Sequence, residues 1–336
     1  MFVIESYPLA VVFCIITMLC WGSWANTQKL ASSRWRFELF YWDYVFGVVV
    51  MALVFAATLG SFGQAGRSFL ADLGQAQPRN LGLAFLGGVI FNAANILLVA
   101  AIAIAGMAVA FPVGIGLALI VGVMVNYLSK PGETNPLVLF LGVAVITVAI
   151  VLDAVAYRRL PGQQQGTSTK GLVLSLVCGL LMGTFYLCVA QAMPEAKEFP
   201  QMPAGKLTPY TAMVLFSLGM LASNFIFNTA IMYKPFVGEP VPVARYFQGT
   251  SRDHLWGLVG GMIWAVGMMF SIIAAGAATF PVSYGLGQGA TMVAAIWGVF
   301  IWREFRDAPP GTNRLLAAMF AAYLVGLVLV ILARVV

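Results

Sequence analysis

Residues 80–104 read NLGLAFLGGVIFNAANILLVAAIAI, a stretch with no ionisable side chain and with Asn92 and Asn95 one turn apart at its centre. At 1.5 Å per residue this is long enough to cross the ~30 Å hydrocarbon core of a bilayer as a helix. Two amides at such depth are expensive unless they meet a partner or a wet cavity. The same ruler, carried outward in both directions, gives ten spans: roughly 8–30, 38–62, 80–104, 107–129, 136–156, 171–193, 208–232, 254–276, 280–302 and 313–335. The weakest boundaries are Ala105-Gly106 and Ala277 to Thr279, where neighbouring spans nearly merge. The expectation is an all-α membrane protein of ten transmembrane helices.

The composition agrees. Hydrophobic residues make up 61% of the 336 residues and charged ones 9%, against roughly a quarter charged in a soluble domain. The net charge of +6 comes without any run of five basic residues, so a nucleic-acid partner is not expected. Cys14, Cys20, Cys178 and Cys188 all lie in apolar segments and make no metal-binding spacing. The N-terminus lacks a basic n-region and a small-residue cleavage site, so the first span is expected to be retained. Loops and helix ends after odd-numbered spans hold Lys29, Arg34, Arg36, Arg158, Arg159, Lys170, Lys234, Arg245, Arg252, Arg303, Arg306 and Arg314. Those after even-numbered spans hold Arg67, Arg79, Lys130, Lys197, Lys206 and Arg334. The positive-inside rule then puts both termini outside a multi-pass cytoplasmic (plasma) membrane.

The halves echo each other. Phe111-Pro112-Val113 returns as Phe280-Pro281-Val282, Gly87-Gly88 as Gly260-Gly261, Gly22-Ser23-Trp24 as Gly183-Thr184-Phe185, and Pro131-Gly132 with Thr134-Asn135 as Pro310-Gly311-Thr312-Asn313. Five spans per half is odd, so the second half must be inverted. The expected division is a first repeat over 1–156, a short linker over 157–170 and an inverted repeat over 171–336, an arrangement that lets one site face two sides in turn.

Met1 to Ser6, Trp42-Asp43-Tyr44, Leu207 to Thr211 and Trp297-Gly298 with Glu304-Phe305-Arg306 resemble the ureide permeases, a family of the drug/metabolite transporter superfamily. Trp21-Gly22-Ser23, Pro112-Val113 and Gln288 ahead of Glu304 are also similar to bacterial glucose/ribose porters of that superfamily. The resemblance implies two inverted five-helix halves with the fifth and tenth helices peripheral, and proton-coupled uptake (symport) of allantoin, uracil, xanthine and related oxo-heterocycles. The chain departs from the plant pattern in its short central connection, which keeps a sugar substrate in view.

Polar side chains within spans mark the candidate site. Trp21, Trp24 and Gln28 share one face of the first span. Asn92 and Asn95 lie in the third, Tyr186 in the sixth, Asn224 in the seventh, Trp264 in the eighth, and Tyr284, Gln288 and Thr291 form a stripe in the ninth. Amides supply donors and acceptors and the indoles supply flat faces, which suits a small uncharged polar metabolite such as a ureide or nucleobase. The same groups suit a glucose-, ribose- or rhamnose-type sugar, and export of a metabolite or drug is the remaining alternative. Asp43 is the candidate proton carrier, the competing expectation being an ion pair with Lys29, Arg34 or Arg36. Asp153 and Glu304 are expected to pair with nearby arginines, and His254 to sit at the surface. The chain has none of the motifs of a membrane-embedded enzyme. The expected partners are therefore solute, protons and lipid, with no cofactor or metal.

Overall fold

A computed structural model describes residues 1–32, 35–63, 65–161, 168–195, 198–199 and 201–336. Arg34 and Lys197 of the charge pattern, and 162–167 of the expected linker, lie outside the described residues. The helices run α1 Tyr7–Ser23, α2 Asn26–Leu30, α3 Phe37–Ala57, α4 Phe69–Gln75, α5 Pro78–Ala105, α6 Met107–Ala110, α7 Gly116–Ser129, α8 Pro136–Arg158, α9 Thr169–Ala192, α10 Pro209–Tyr233, α11 Ser251–Ala278, α12 Phe280–Gly287, α13 Ala290–Ile296 and α14 Thr312–Leu332. Wider turns over Phe111–Ile115 and Trp297–Ile301 continue the fourth and ninth spans. Among the described residues nine helical stretches are long and apolar enough to cross a membrane, and α1 is a tenth, shorter apolar helix. The chain is a ten-helix membrane protein.

The spans are one-sided only where they meet each other. On α1, Leu9, Val12, Ile15 and Leu19 are exposed at helical spacing, as a lipid-facing stripe would be, while Ala10, Cys14, Thr17 and Met18 are buried. Lipid tails give no hydrophobic reason for helices to associate, so close backbone approach at small residues takes over. Two crossings show it reciprocally. A Cβ at Gly88 of α5 would lie 1.9 Å from the Phe216 carbonyl oxygen of α10, and one at Gly219 of α10 would lie 2.0 Å from that of Phe85. A Cβ at Gly261 of α11 would lie 1.9 Å from the Tyr44 carbonyl of α3, and one at Gly47 of α3 would lie 2.1 Å from that of Leu258. Each contact joins a helix of the first half to one of the second, with the same three-residue offset. At the periphery α8 and α14, the fifth and tenth spans, pack through Gly142 and Gly326 in the same manner.

The expected weak boundaries are sharp bends. Gly106 has φ +74°, which ends α5 without strain, and Thr279 holds φ +72° between α11 and α12. The echo of Phe-Pro-Val is not geometrically uniform: Phe280-Pro281 opens α12, whereas Phe111-Pro112 lies in a wide turn after α6. Two tight turns were not expected. The first span passes through one at Trp24-Ala25 and the ninth through one at Gln288-Gly289, with the backbone right-handed helical at all four residues. Gly22 lets these two spans touch, since a Cβ there would lie 2.5 Å from the Ala290 carbonyl oxygen.

Candidate functional site

A cavity of about 350 Å³ opens where the first and ninth spans meet α5, α9 and α11. The backbone stays right-handed helical through the turns at Trp24-Ala25 and Gln288-Gly289, so they tighten the two spans at the cavity wall rather than unwind them. Trp21, Trp24, Asn95, Trp264 and Gln288 line it, joined by Gln28 and Thr291. The indoles of Trp21 and Trp264 stack with centroids 5.9 Å apart and 13° between planes, and Trp21 Nε1 donates to the Trp264 carbonyl at 3.3 Å. Phe91 lies 4.3 Å from Trp264 and 5.1 Å from Phe185, so four rings form one continuous wall. Facing them are amides. Asn95 Nδ2 donates to the Tyr41 hydroxyl at 3.1 Å, which fixes its orientation and leaves Oδ1 available. Among the described residues no protein hydrogen bond occupies the side-chain amides of Gln28 or Gln288, and no charged residue lines the cavity.

The other four expected residues lie elsewhere, because each is satisfied or enclosed by neighbouring helices. Asn92 Nδ2 donates to Ser223 Oγ at 2.9 Å and to the Met220 carbonyl at 3.3 Å, tying α5 to α10. Tyr284 donates to the Ala118 and Met182 carbonyls at 3.1 and 3.0 Å. Tyr186 meets Ser271 Oγ at 2.9 Å and Ser283 Oγ at 3.3 Å. Asn224 is fully buried in α10, with no partner for either amide atom among the described residues. Phe91, Phe185 and Met182 of the cavity were missed, since an apolar residue in an apolar span carries no signal in sequence.

Of two vestibules formed by the described residues, the cavity adjoins one. A vestibule of about 570 Å³ beside Lys29 and Glu304 shares Gly22, Ala25, Gln28, Ile102, Phe111 and Ala294 with the cavity, so the two are continuous. At the opposite end a vestibule of about 710 Å³, lined by Tyr7, Lys130, Glu195, Gly276, Phe280 and others, shares no residue with it. Between them lies a knot of buried hydroxyls. Ser271 and Ser283 Oγ are 3.0 Å apart, Tyr186 bonds both, and Cys14 Sγ reaches Ser283 at 3.8 Å. Along α11 the order is Trp264, Ser271, Gly276, and along the ninth span it is Gln288, Ser283, Phe280. Cavity, knot and far vestibule thus follow one another on both helices.

Lys130, just past α7, floors the far vestibule, its ammonium donating to the Met193 carbonyl and lying 5.2 Å from the Phe280 ring centroid. Burial, reinforced by the Lys206 charge, lowers it from 10.5 to about 8, against the pull of Glu195 and Glu198. Between pH 8 and 10.5 the folded chain has therefore released a proton that the unfolded chain still holds, so stability rises with pH across that window. The melting temperature of the wild type should climb relative to Lys130→Met between those values; parallel curves would refute the assignment.

The structure also places the titratable groups. Lys29 pairs with Glu304 at 2.9 Å and Arg36 with Glu38 at 2.5 Å, so neither pairs with Asp43. Among the described residues Glu304 also accepts from Tyr157 at 3.1 Å rather than meeting an arginine, and one carboxylate oxygen of Asp153 has no partner. Asp43, 2% exposed, accepts from the Tyr246 hydroxyl at 2.5 Å and lies 3.0 Å from His254 Nδ1 through both oxygens. His254 is therefore a half-buried partner of Asp43, not a free surface residue. Tyr246 sits in a short helix, Val243–Gln248, where burial and then the Asp43 carboxylate push its phenol above its ordinary value.

Ten spans around an uncharged amide-and-indole cavity are the architecture of a membrane transporter. The profile of the ureide permease family matches residues 40–163 and 158–333. The chain belongs to the ureide permease family. It is 21% identical to ureide permease 1 of Arabidopsis thaliana, over 97% of each chain, and 22% identical to ureide permease 5 of that plant, over 96% of this chain and 94% of the relative. The probable ureide permease A3 of Vigna unguiculata is 20% identical, over 90% of this chain and 97% of its own. A solved crystal structure of a protein 17% identical superposes with TM-score 0.61 over 98% of this chain and 100% of that one, a likeness of fold.

Proposed function

We propose that this chain takes up a small, uncharged, carbonyl-rich solute of the ureide or nucleobase kind, coupled to protons. One observation carries the reading: the side-chain amides of Gln28 and Gln288, which make no protein hydrogen bond among the described residues, and Asn95 Oδ1 face a wall of four aromatic rings with no charge among the lining residues. Amides answer the alternating N–H and C=O edge of an oxo-heterocycle, and stacked indoles answer its face. A volume of about 350 Å³ is at the small end for ligand sites, which run from about 300 to 1,000 Å³. An anion or a cation would find no counter-charge there.

The two halves, 1–156 and 171–336, act as inverted repeats joined by 157–170, with both termini outside the cell. The reciprocal glycine crossings and the two opposed vestibules support that division. With this orientation the open vestibule faces the cytoplasm, and the hydroxyl knot around Tyr186 is the closed outer gate. Asp43 is the carboxylate that couples transport to protons.

A thermal-shift series with allantoin, uracil, xanthine, glucose, ribose and rhamnose tests the substrate class, because a ligand that binds only the folded state raises the melting temperature by mass action. Heterocycles are expected to shift it and sugars to leave it unchanged. The reverse pattern would make the chain a sugar porter.

A further inference from the structure

Asp43 and His254 come from α3 and from the first turn of α11, 211 residues apart in sequence. His254 is the only histidine of the chain. The imidazole turns Nδ1 to the carboxylate at 3.0 Å, and its Nε2 side lies against Gly249, where a Cβ would come within 2.6 Å of that nitrogen. The Trp35 ring stands edge-on to the imidazole at 4.9 Å and 77°. The carboxylate is 3% exposed and the imidazole 27%, so water reaches the ring but barely reaches the acid. Trp35 and Ser32 belong to the wall of the open vestibule. Asp253, next to His254, accepts from the Ser32 backbone N–H at 2.8 Å and closes the capping box of α11 with Thr250. The end of α11 that carries the imidazole is thereby fastened to the loop between the first two spans.

The other charged groups nearby are committed elsewhere. Asp253 faces Ser32 and Thr250, Arg36 is held by Glu38 and the Glu239 carbonyl at the start of α3, and Lys29 is held by Glu304. Among the described residues the titratable groups in contact with the ring are Asp43 and Tyr246, the latter at 4.8 Å between ring centroids.

We propose that Asp43 and His254, with Tyr246 as a fixed donor, form the proton-binding site of the carrier, the proton entering at His254 Nε2. This rests on the reading of the chain as a proton-coupled carrier and names the residue and atom that receive the proton. With the imidazole neutral, Nδ1–H and the Tyr246 hydroxyl both donate to the carboxylate and the site carries one net negative charge. Protonation of Nε2 forms a new N–H bond and turns the site into a neutral imidazolium–carboxylate pair, with the Nδ1–H bond kept. A buried net charge is costly unless hydrated, whereas a hydrogen-bonded pair of zero net charge is far less so. The loaded site can therefore close, and the empty one must stay open to water. Because Trp35 and the Asp253–Ser32 bond belong to the same wall, closure of the site moves the vestibule mouth.

The single histidine makes the test direct. In protein labelled with 15N-histidine and held in lipid nanodiscs, the one pair of ring-nitrogen signals should move between pH 5 and 9, with no substrate present. Proteoliposomes then report the transport consequence. A one-unit pH gradient can drive a one-to-one symporter to about tenfold accumulation, which wild type should approach with allantoin or uracil as the probe. His254→Gln should fall to simple equilibration while keeping exchange of labelled for unlabelled probe at equal pH, and Tyr246→Phe should lie between. An imidazole that keeps one protonation state from pH 5 to 9 overturns the proposal, and so does a His254→Gln variant that accumulates as wild type does. Wild type that moves neither probe tells against the substrate class alone, and the ring-nitrogen signals then decide the proton site.

Discussion

Gly88→Val is expected to leave no folded carrier, while Gly82→Ala, fewer than two turns away on the same helix, is expected to cost nothing. A Cβ at Gly88 meets the Phe216 carbonyl oxygen at 1.9 Å, its carbon at 2.8 Å and the Met220 nitrogen at 2.9 Å. All three are backbone atoms, so no rotamer change relieves the overlap. The helices α5 and α10 must separate, and α5 carries Phe91 and Asn95 of the cavity. Overpacking that side chains absorb costs about 1–3 kcal/mol; where backbone must move, the loss should exceed the top of that range. Gly82 has nothing within 4 Å of a built Cβ, and removing a helical glycine there should be neutral or favourable by up to about 1 kcal/mol. Size-exclusion profiles and melting curves of both variants check this. A Gly88→Val protein that elutes and melts as wild type would show that the crossing is wrongly placed.

Trp21→Ala is expected to weaken binding of a heterocycle by about 10- to 100-fold, the worth of one aromatic stacking contact, roughly 1–3 kcal/mol. Trp21 is the better probe than Trp264 because Trp264 is 4% exposed and also packs on Phe91, Phe216 and Tyr44. Its removal would confound binding with folding. Trp21→Phe should keep most of the affinity, since a flat face remains. Gln288→Ala should cost roughly tenfold through loss of one hydrogen bond from a desolvated site. Isothermal titration with uracil or allantoin reads all three. Unchanged affinity in Trp21→Ala would move the substrate away from the indole wall.

Sequence length and polarity alone carried the ten spans, because a bilayer demands about twenty apolar residues and little else resembles that. They also carried part of the candidate site. Trp21, Trp24, Asn95, Trp264 and Gln288 stand out in apolar helices, and all five line the cavity. The same signal was ambiguous for Asn92, Tyr186, Asn224 and Tyr284, since a buried amide or phenol can serve a neighbouring helix as readily as a solute. Asn92 bonding Ser223 is that case. The aromatic wall of Phe91 and Phe185 was invisible among the 24 phenylalanines of the chain. Nor did any local feature announce the tight turns at Trp24-Ala25 and Gln288-Gly289, which arise where two helices meet through Gly22. His254 looked like a surface residue beside Arg252 and Asp253. Its partner, Asp43, is brought to it only when α3 and α11 cross at Gly47 and Gly261, a contact without any trace in the neighbourhood of either residue.

The most direct measurement is uptake of radiolabelled allantoin into proteoliposomes of the purified chain with the interior alkaline. It should be made with and without excess uracil, xanthine, glucose or ribose. Saturable accumulation above protein-free vesicles, suppressed by uracil and xanthine and indifferent to both sugars, is the expected result. Uptake no greater than in protein-free vesicles, or competition by the sugars alone, would contradict the assignment of this cavity to an uncharged heterocycle.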